Sequence, residues 1–454
     1  MDSAHFYDAV VVGGGLAGTT VAAELASLAP RDFRLLLVEA RDPGPGSAYA
    51  PGSEKLYMNG TAISMSAVPG DKRHLVRWLR NEPDEAQIPR YLFGRYLRER
   101  FYEAVANRPD FHVARAEVVD VLPQDGGFVA VDDLGCRYRA RNVVLALGNF
   151  PPDDSFLPEA LRRHEGYVAD PWRFDPSAMQ GDALAIGSGL TAMDVVALLA
   201  ASDWQGRVHV VSRHGLLPCT DNPFASELDA RTLELRTETP YALMRTLRAQ
   251  ARKHVARGGD WRDVIEAIRT MSPAVWTSWS LPERRRFLRH LQPFWAIHRY
   301  RVPPPTAQAF ERLAQEGRVV RHRGRVVSAR RTEDGAVAVE IAGARGNSEI
   351  VVNAAINCTG PNGNYERVRH PLVRNLIARG VLRPDPLKLG LDATAELRVV
   401  DRQGHPNERL FALGPPLRGL FYETTAVPET REQAATIARS LLAERAARRL
   451  RPVS

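Results

Sequence analysis

The chain has 454 residues, 44% hydrophobic and 25% charged, a globular balance in a length that exceeds what one core usually serves. No stretch approaches the roughly 18 consecutive apolar residues of a membrane span, and three cysteines exclude a disulfide scaffold and point to a reducing, cytoplasmic setting. The net charge of +8 rests on arginine, because only Lys55, Lys72, Lys253 and Lys388 are lysines. Those arginines are interleaved with acids from Arg31 to Arg451, which argues against a nucleic-acid or membrane partner. The acidic opening, Met1 to Asp8, runs straight into an apolar strand and is expected to carry no secretory signal.

In chain order, Ala9 to Val12 reads as a short buried strand, and Gly13-Gly14-Gly15-Leu16-Ala17-Gly18 as a tight turn. An Ala-rich helix follows from Leu16 to Ala29, then a second strand, Leu35 to Val38. Residues 113–147 read as strands around Asp125-Gly126-Gly127. A second βαβ unit begins at Ala183 to Ile186, turns through Gly187-Ser188-Gly189-Leu190-Thr191-Ala192, and closes with Val208 to Val211. Residues 222–310 break this rhythm with helical stretches around Trp261, Trp276 and Trp295. Residues 325–360 echo 113–147 with strands around Asp334-Gly335. A strand near Leu410 to Leu413 and a helix from about Pro428 complete the chain.

The expected fold class is therefore α/β, with two Rossmann-like dinucleotide-binding domains, the second inserted into the first, and a helical insertion. The expected boundaries are 1–152 and 361–454 for an FAD-binding domain, and 153–360 for an NAD(P)H-binding domain carrying the helical insertion at about 222–310.

Each glycine turn lies between a strand and a helix, which gives the G-x-G-x-x-G pattern its meaning. Gly13 permits the turn, Gly15 admits a pyrophosphate, and Gly18 lets helix pack on strand. Glu39, at the end of the next strand, suits a free ribose diol. In the second unit Gly187 and Gly189 play the first two parts, and Ala192 replaces the third glycine. Arg213 stands as far from Gly187 as Glu39 stands from Gly13, and with Ser212 it suits a 2′-phosphate. The first site thus reads as FAD and the second as NADPH, with NADH left open. Cys136, Cys219 and Cys358 are far apart in sequence, which argues against a redox dithiol, and no metal motif is present.

The motifs resemble a bacterial FAD/NAD(P)-binding flavoprotein family that contains FAD-dependent urate hydroxylase and L-aspartate N-hydroxylating monooxygenases. The resemblance rests on the two glycine turns and on Gly46-Ser47-Ala48-Tyr49, Met58-Asn59-Gly60 and Phe93-Gly94-Arg95-Tyr96-Leu97. It continues through Ser212-Arg213-His214-Gly215, His298-Arg299-Tyr300-Arg301, Asn357-Cys358-Thr359-Gly360-Pro361 and Tyr422 to Glu429. The chain's length is nearer that of the urate hydroxylase than that of the aspartate enzymes. The resemblance implies an NAD(P)H-consuming monooxygenase using O2 and a small-molecule substrate, with urate converted to 5-hydroxyisourate as the specific reading. N-hydroxylation of L-aspartate or another amine, and electron transfer to an acceptor without oxygen insertion, are the alternatives. It also implies flavin contacts from Tyr49, Asn59, Gly414 and Thr425, with Gly414-Pro415 replacing a more usual Gly-Asp pair. His298, Arg299 and Arg301, beside Trp295 and Tyr300, are the candidate contacts for an anionic purine.

Overall fold

The computed structural model describes residues 6–50, 54–224 and 228–449; most of the opening segment, residues 1–5, lies outside them. The first unit runs β1 (Phe6–Val12), α1 (Leu16–Leu28) and β2 (Leu35–Val38). It continues through α2 (His74–Leu79), α3 (Arg90–Val105), β3 (Phe111–Ala114), β4 (Val118–Gln124), β5 (Gly127–Asp132) and β6 (Arg137–Leu145). Helix α4 (Glu159–Arg162) and β7 (Tyr167–Val168) lead to β8 (Ala183–Ile186), α5 (Leu190–Ala200) and β9 (Val208–Ser212). A helical module follows, with α6 (Pro240–Val255), α7 (Trp261–Arg269), α8 (Ser272–Ser278), α9 (Leu281–Arg286), α10 (Gln292–Arg299) and α11 (Pro304–Gln315). Strands β10 (Val319–Arg331), β11 (Val337–Gly343), β12 (Gly346–Val352) and β13 (Ala354–Asn357) come next. The chain closes with α12 (Pro371–Arg379), β14 (Arg398–Val400), β15 (Pro406–Ala412), α13 (Arg418–Phe421) and α14 (Val427–Arg449).

These strands form two sheets. One has the order β3-β2-β1-β6-β15-β14, with β5 paired to β6 and β4 to β5; the other is β12-β11-β10-β9-β8-β13-β7. Strands β3-β2-β1-β6 and β10-β9-β8-β13 repeat one parallel arrangement. Parallel neighbours need long crossovers, and α1 and α5 supply them. Every strand of the second sheet falls between β6 and β14 in sequence, so the second nucleotide fold is inserted into the first. The central strands are Val-, Leu- and Ala-rich without alternation and are buried on both faces, as helix-covered parallel strands must be.

Within the helical module a 3-10 turn at Ala230–Thr232 comes before α6, whose N-cap is Thr239. There the Thr239 hydroxyl accepts from the Ala242 N–H, and Pro240 occupies the first turn of α6. The module has its own core of Leu247, Val264, Ile268, Trp276, Trp279, Phe287 and Trp295, and Tyr422 joins it from the segment before α14. The Tyr422 ring lies 4.7 Å from Trp276 and 5.3 Å from Phe287, and Trp276 Nε1 donates to Gly419 O at 2.9 Å. Tyr422 holds φ at +60°, a left-handed conformation that a bulky residue adopts only when its surroundings fix it. No helix among the described residues is long and apolar enough to cross a membrane.

Candidate dinucleotide sites and their junction

Both candidate sites sit where a strand runs into a helix. Gly13 follows β1 with φ of +97°, and its N–H donates to Val38 O at 2.9 Å. A methyl group at Gly13 would fall on the Ala146 carbonyl, and one at Gly18 on the Gly13 carbonyl, so neither position accepts a side chain. Gly15 is the N-cap of α1 and brings no side-chain hydrogen bond. The free N–H groups and dipole of such a helix end favour a phosphate. Directly after β2, the Glu39 carboxylate accepts from the Gly14 N–H at 2.6 Å and from the Arg41 N–H at 3.0 Å. The following loop folds over the turn, with Gly44 N donating to Gly14 O at 2.7 Å.

The second site has the same backbone with different chemistry. Gly187 follows β8 with φ of +114° and donates to Val211 O at 2.8 Å. Gly189 caps α5, and a methyl group added there would meet nothing within 4 Å, which leaves room for a pyrophosphate against the helix end. Ala192 is buried, small enough for the helix to lie close to the strand. The register corrects the spacing argument at one point. Val12 pairs with Val38 and Ile186 with Val211, so the residue matching Glu39 is Ser212, not Arg213. The second crossover is one residue shorter between paired strands, and equal counting from the two glycines passes over that. Ser188 Oγ stands 2.8 Å from Ser212 Oγ and 2.5 Å from Leu216 O.

Arg213 is the next residue and is exposed. Parallel pairing sets Arg323 of β10 opposite Ser212, and Arg321 Nη2 donates to Gly215 O at 2.7 Å. Three arginines thus surround the turn after β9, where the first fold has a carboxylate. Sequence reading missed Arg321 and Arg323, whose proximity to Ser212 comes only from strand pairing.

The candidate flavin contacts divide into two groups. Tyr49 packs edge-on against Phe93 at 4.9 Å, and burial pushes its hydroxyl pKa up. Buried Gly414 has φ of +76°, and a methyl group there would lie 3.9 Å from Ala17 Cβ at the start of α1. Its N–H donates to Gln433 Oε1 at 2.7 Å, and its carbonyl accepts from Thr424 Oγ1 at 3.1 Å. Asn59 and Thr425 are exposed, in the loop after β2 and just before α14 respectively.

The basic cluster at the end of α10 carries its own counter-charges. Arg299 Nη2 lies 3.3 Å from Glu423 Oε2, with Glu423 only 3% exposed. Arg301 pairs with Asp221 at 2.5 Å and with Glu266 at 3.3 Å. The backbone carbonyl of Phe294 accepts from His298 Nδ1 at 2.7 Å, and the His298 ring packs edge-on against Trp261. Tyr300 OH donates to Glu423 Oε1 at 3.4 Å, and burial followed by the Glu423 charge raises its pKa. The three residues are brought together, but as a charge-balanced closure of a helix end.

All three cysteines are free; burial pushes the Cys358 thiol pKa up, which keeps it protonated. No cluster of metal-ligating side chains occurs among the described residues.

Residues 10–150 match the model of a family described as FAD-NAD(P)-binding. An uncharacterized protein of Mycobacterium bovis is 24% identical over 409 residues, covering 80% of this chain and 74% of its own. An ornithine N-hydroxylase of Kutzneria sp. 744 has a similar structure, with a TM-score of 0.61 at 15% identity over 97% of this chain and 100% of that one. A cadaverine monooxygenase of Erwinia amylovora gives 0.63 at 12% identity over 97% and 95%. A bacillithiol disulfide reductase of Staphylococcus aureus gives 0.60 at 14% identity over 97% and 99%. At these identities the likeness is one of fold.

Proposed function

We propose that this chain is an FAD-dependent, NAD(P)H-consuming monooxygenase that hydroxylates the nitrogen of a small amine. The carrying observation is the pair of matched cradles with opposite chemistry, Glu39 in one and Ser212 flanked by arginines in the other. Gly13, Gly15, Gly18 and Glu39 would hold the FAD pyrophosphate and ribose, with Tyr49, Asn59, Gly414 and Thr425 along the rest of the cofactor. Gly187, Gly189, Ala192, Ser212 and Arg213, with Arg323, would hold NADPH. The domain boundaries near residues 152 and 360 belong to the same proposal.

Bound flavin supplies redox and oxygen-transfer chemistry that side chains lack. The protein's part is to hold the two dinucleotides, orient the substrate and exclude water. In balance, amine, O2, NADPH and one proton give hydroxylamine, water and NADP+. The nitrogen lone pair attacks oxygen, so the amine must react in its unprotonated form.

Two observations support an amine over urate. Proteins of similar fold named for ornithine and cadaverine oxidise amines. The cluster read from sequence as an anion site has its guanidinium groups paired with Glu423, Asp221 and Glu266, so little positive charge is left to attract a urate anion. Disulfide reduction has less support, because the cysteines form no pair.

The test is to purify the flavoprotein and follow NADPH and O2 consumption with ornithine, lysine, cadaverine, L-aspartate and urate. Hydroxylamine formation from an amine supports the proposal. Urate-dependent formation of 5-hydroxyisourate would replace the amine as substrate. NADPH oxidation that yields only hydrogen peroxide or a reduced acceptor under every condition would overturn oxygen insertion.

A further inference from the structure

Segment 86–90 lies against residues 56–62 through backbone bonds. Met58 N donates to Ile88 O at 2.9 Å, Arg90 N to Leu56 O at 2.8 Å, and Ala62 N to Ala86 O at 2.8 Å. The second strip contains Asn59, so its placement affects the loop assigned above to the flavin. The first strip also reaches into the inserted nucleotide fold at two points. Gln87 Nε2 donates to Asp221 Oδ2 at 2.9 Å, and Asp221 is itself held by Arg301. At the first residue of α3, Arg90 Nη2 lies 2.9 Å from Asp194 Oδ2 on α5, with both side chains 11% exposed. Arg90 Nε also donates to Tyr57 O at 3.1 Å, and its guanidinium lies 5.5 Å from the centre of the Trp172 ring.

Each of these contacts fixes Arg90 from a different side. Tyr57 belongs to the flavin-side strip, whereas Asp194 and Trp172 belong to the inserted fold. Asp194 lies on the helix whose N-terminus, at Gly189, is the second cradle. A buried ion pair contributes little net stability over a well-packed apolar pair, but its geometry is specific. A guanidinium anchored by a carbonyl, a carboxylate and a ring resists both rotation and sliding.

We infer that Arg90 and Asp194 are positioning residues that set the second cradle against the flavin loop, so that the nicotinamide reaches hydride-transfer distance. The inference rests on the proposed hydride transfer from NADPH to FAD, and it assigns neither residue to contact with the reacting atoms. Small displacements suffice: a misplacement of about 1 Å costs on the order of 100-fold in rate.

The test uses the flavin-loaded full chain as wild type, D194N, R90A and R90K, in anaerobic stopped-flow with NADPH. D194N and R90A should slow flavin reduction about tenfold or more at saturating NADPH, with NADPH affinity and reoxidation by O2 changed less than about threefold. R90K should recover part of the rate. Amide exchange of the cofactor-free chain provides a reading without chemistry: residues 56–62 and 190–194 should exchange faster in D194N, with β1 and β6 unchanged. Reduction rates within twofold of wild type in D194N and R90A would overturn the inference, as would unchanged exchange in those segments. If either variant fails to fold, R90K decides, since a folded R90K with wild-type reduction and exchange also overturns it. A wild-type flavin that neither NADPH nor NADH reduces would sink the functional proposal instead, and exchange alone would then judge the positioning role of Arg90 and Asp194.

Discussion

Ser188 and Ser212 face each other with their hydroxyl oxygens 2.8 Å apart, at the place where the first fold has the Gly14 amide on the Glu39 carboxylate. The exchange removes a negative charge from the rim of the second cradle. A carboxylate there would accept the ribose hydroxyls of NADH and repel a 2′-phosphate, whereas under the proposed function a hydroxyl beside Arg213 and Arg323 would admit the phosphate.

Cofactor choice is the first consequence. Arg213→Ala and Arg323→Ala should each raise the KM for NADPH about tenfold or more, as expected for losing a charge-assisted hydrogen bond of about 1.5–3 kcal/mol. Their KM for NADH should stay near wild type. Ser212→Glu should reverse the preference. Steady-state kinetics with both nucleotides checks this, and equal losses for NADH and NADPH would remove the 2′-phosphate argument.

At Gly18 the added methyl group meets backbone, which has no cheap way to yield. Gly18→Ala should push α1 away from β1 and release FAD, read as loss of flavin absorbance after gel filtration. Gly189→Ala meets open space and should leave the fold intact while weakening NADPH binding.

Arg301 is held between the carboxylates of Asp221 and Glu266 as their counter-ion. Arg301→Ala leaves Asp221, 7% exposed, without its guanidinium, and unpairing a buried charge costs roughly 3–5 kcal/mol. Thermal unfolding should show a large loss of stability. Wild-type stability combined with a raised substrate KM would instead return Arg301 to the substrate site.

Lys388 is exposed and holds φ at +60°. Its pairing with Glu366, at 3.4 Å between exposed side chains, contributes little. Lys388→Gly should raise stability by about 1 kcal/mol, because left-handed backbone costs an L-residue roughly 1–2 kcal/mol. Chemical denaturation measures the sign directly, and an unchanged or lowered midpoint counts against the strain.

The Cys358 thiol is buried, and desolvation followed by the charge of Asp194 raises its pKa. At pH 8 it should resist a thiol reagent in the native protein and react on denaturation, while half-buried Cys136 and Cys219 react sooner. Peptide mapping after timed labelling separates the three. Rapid native labelling of Cys358 would contradict its burial.

Local chemistry made much of this molecule readable from sequence. Gly13, Gly18 and Gly187 are demanded by backbone geometry within a few residues, and the apolar runs at 9–12, 35–38, 183–186 and 208–211 admit little but buried parallel strands. Glu39 was legible for the same reason, since it ends a strand that the pattern itself defines. Tertiary structure decided whatever depends on register or on charges meeting from distant segments. A one-residue difference between crossovers put Ser212, rather than Arg213, opposite Gly187. The pairing of β9 with β10 brought Arg323 to Ser212 from more than 100 positions away. Arg299 and Arg301 look like an open anion site in sequence, but folding delivers Glu423, Asp221 and Glu266 to neutralise them. Spacing along a chain records which residue types a turn requires; electrostatics depends on distance in space, which only the packed fold sets.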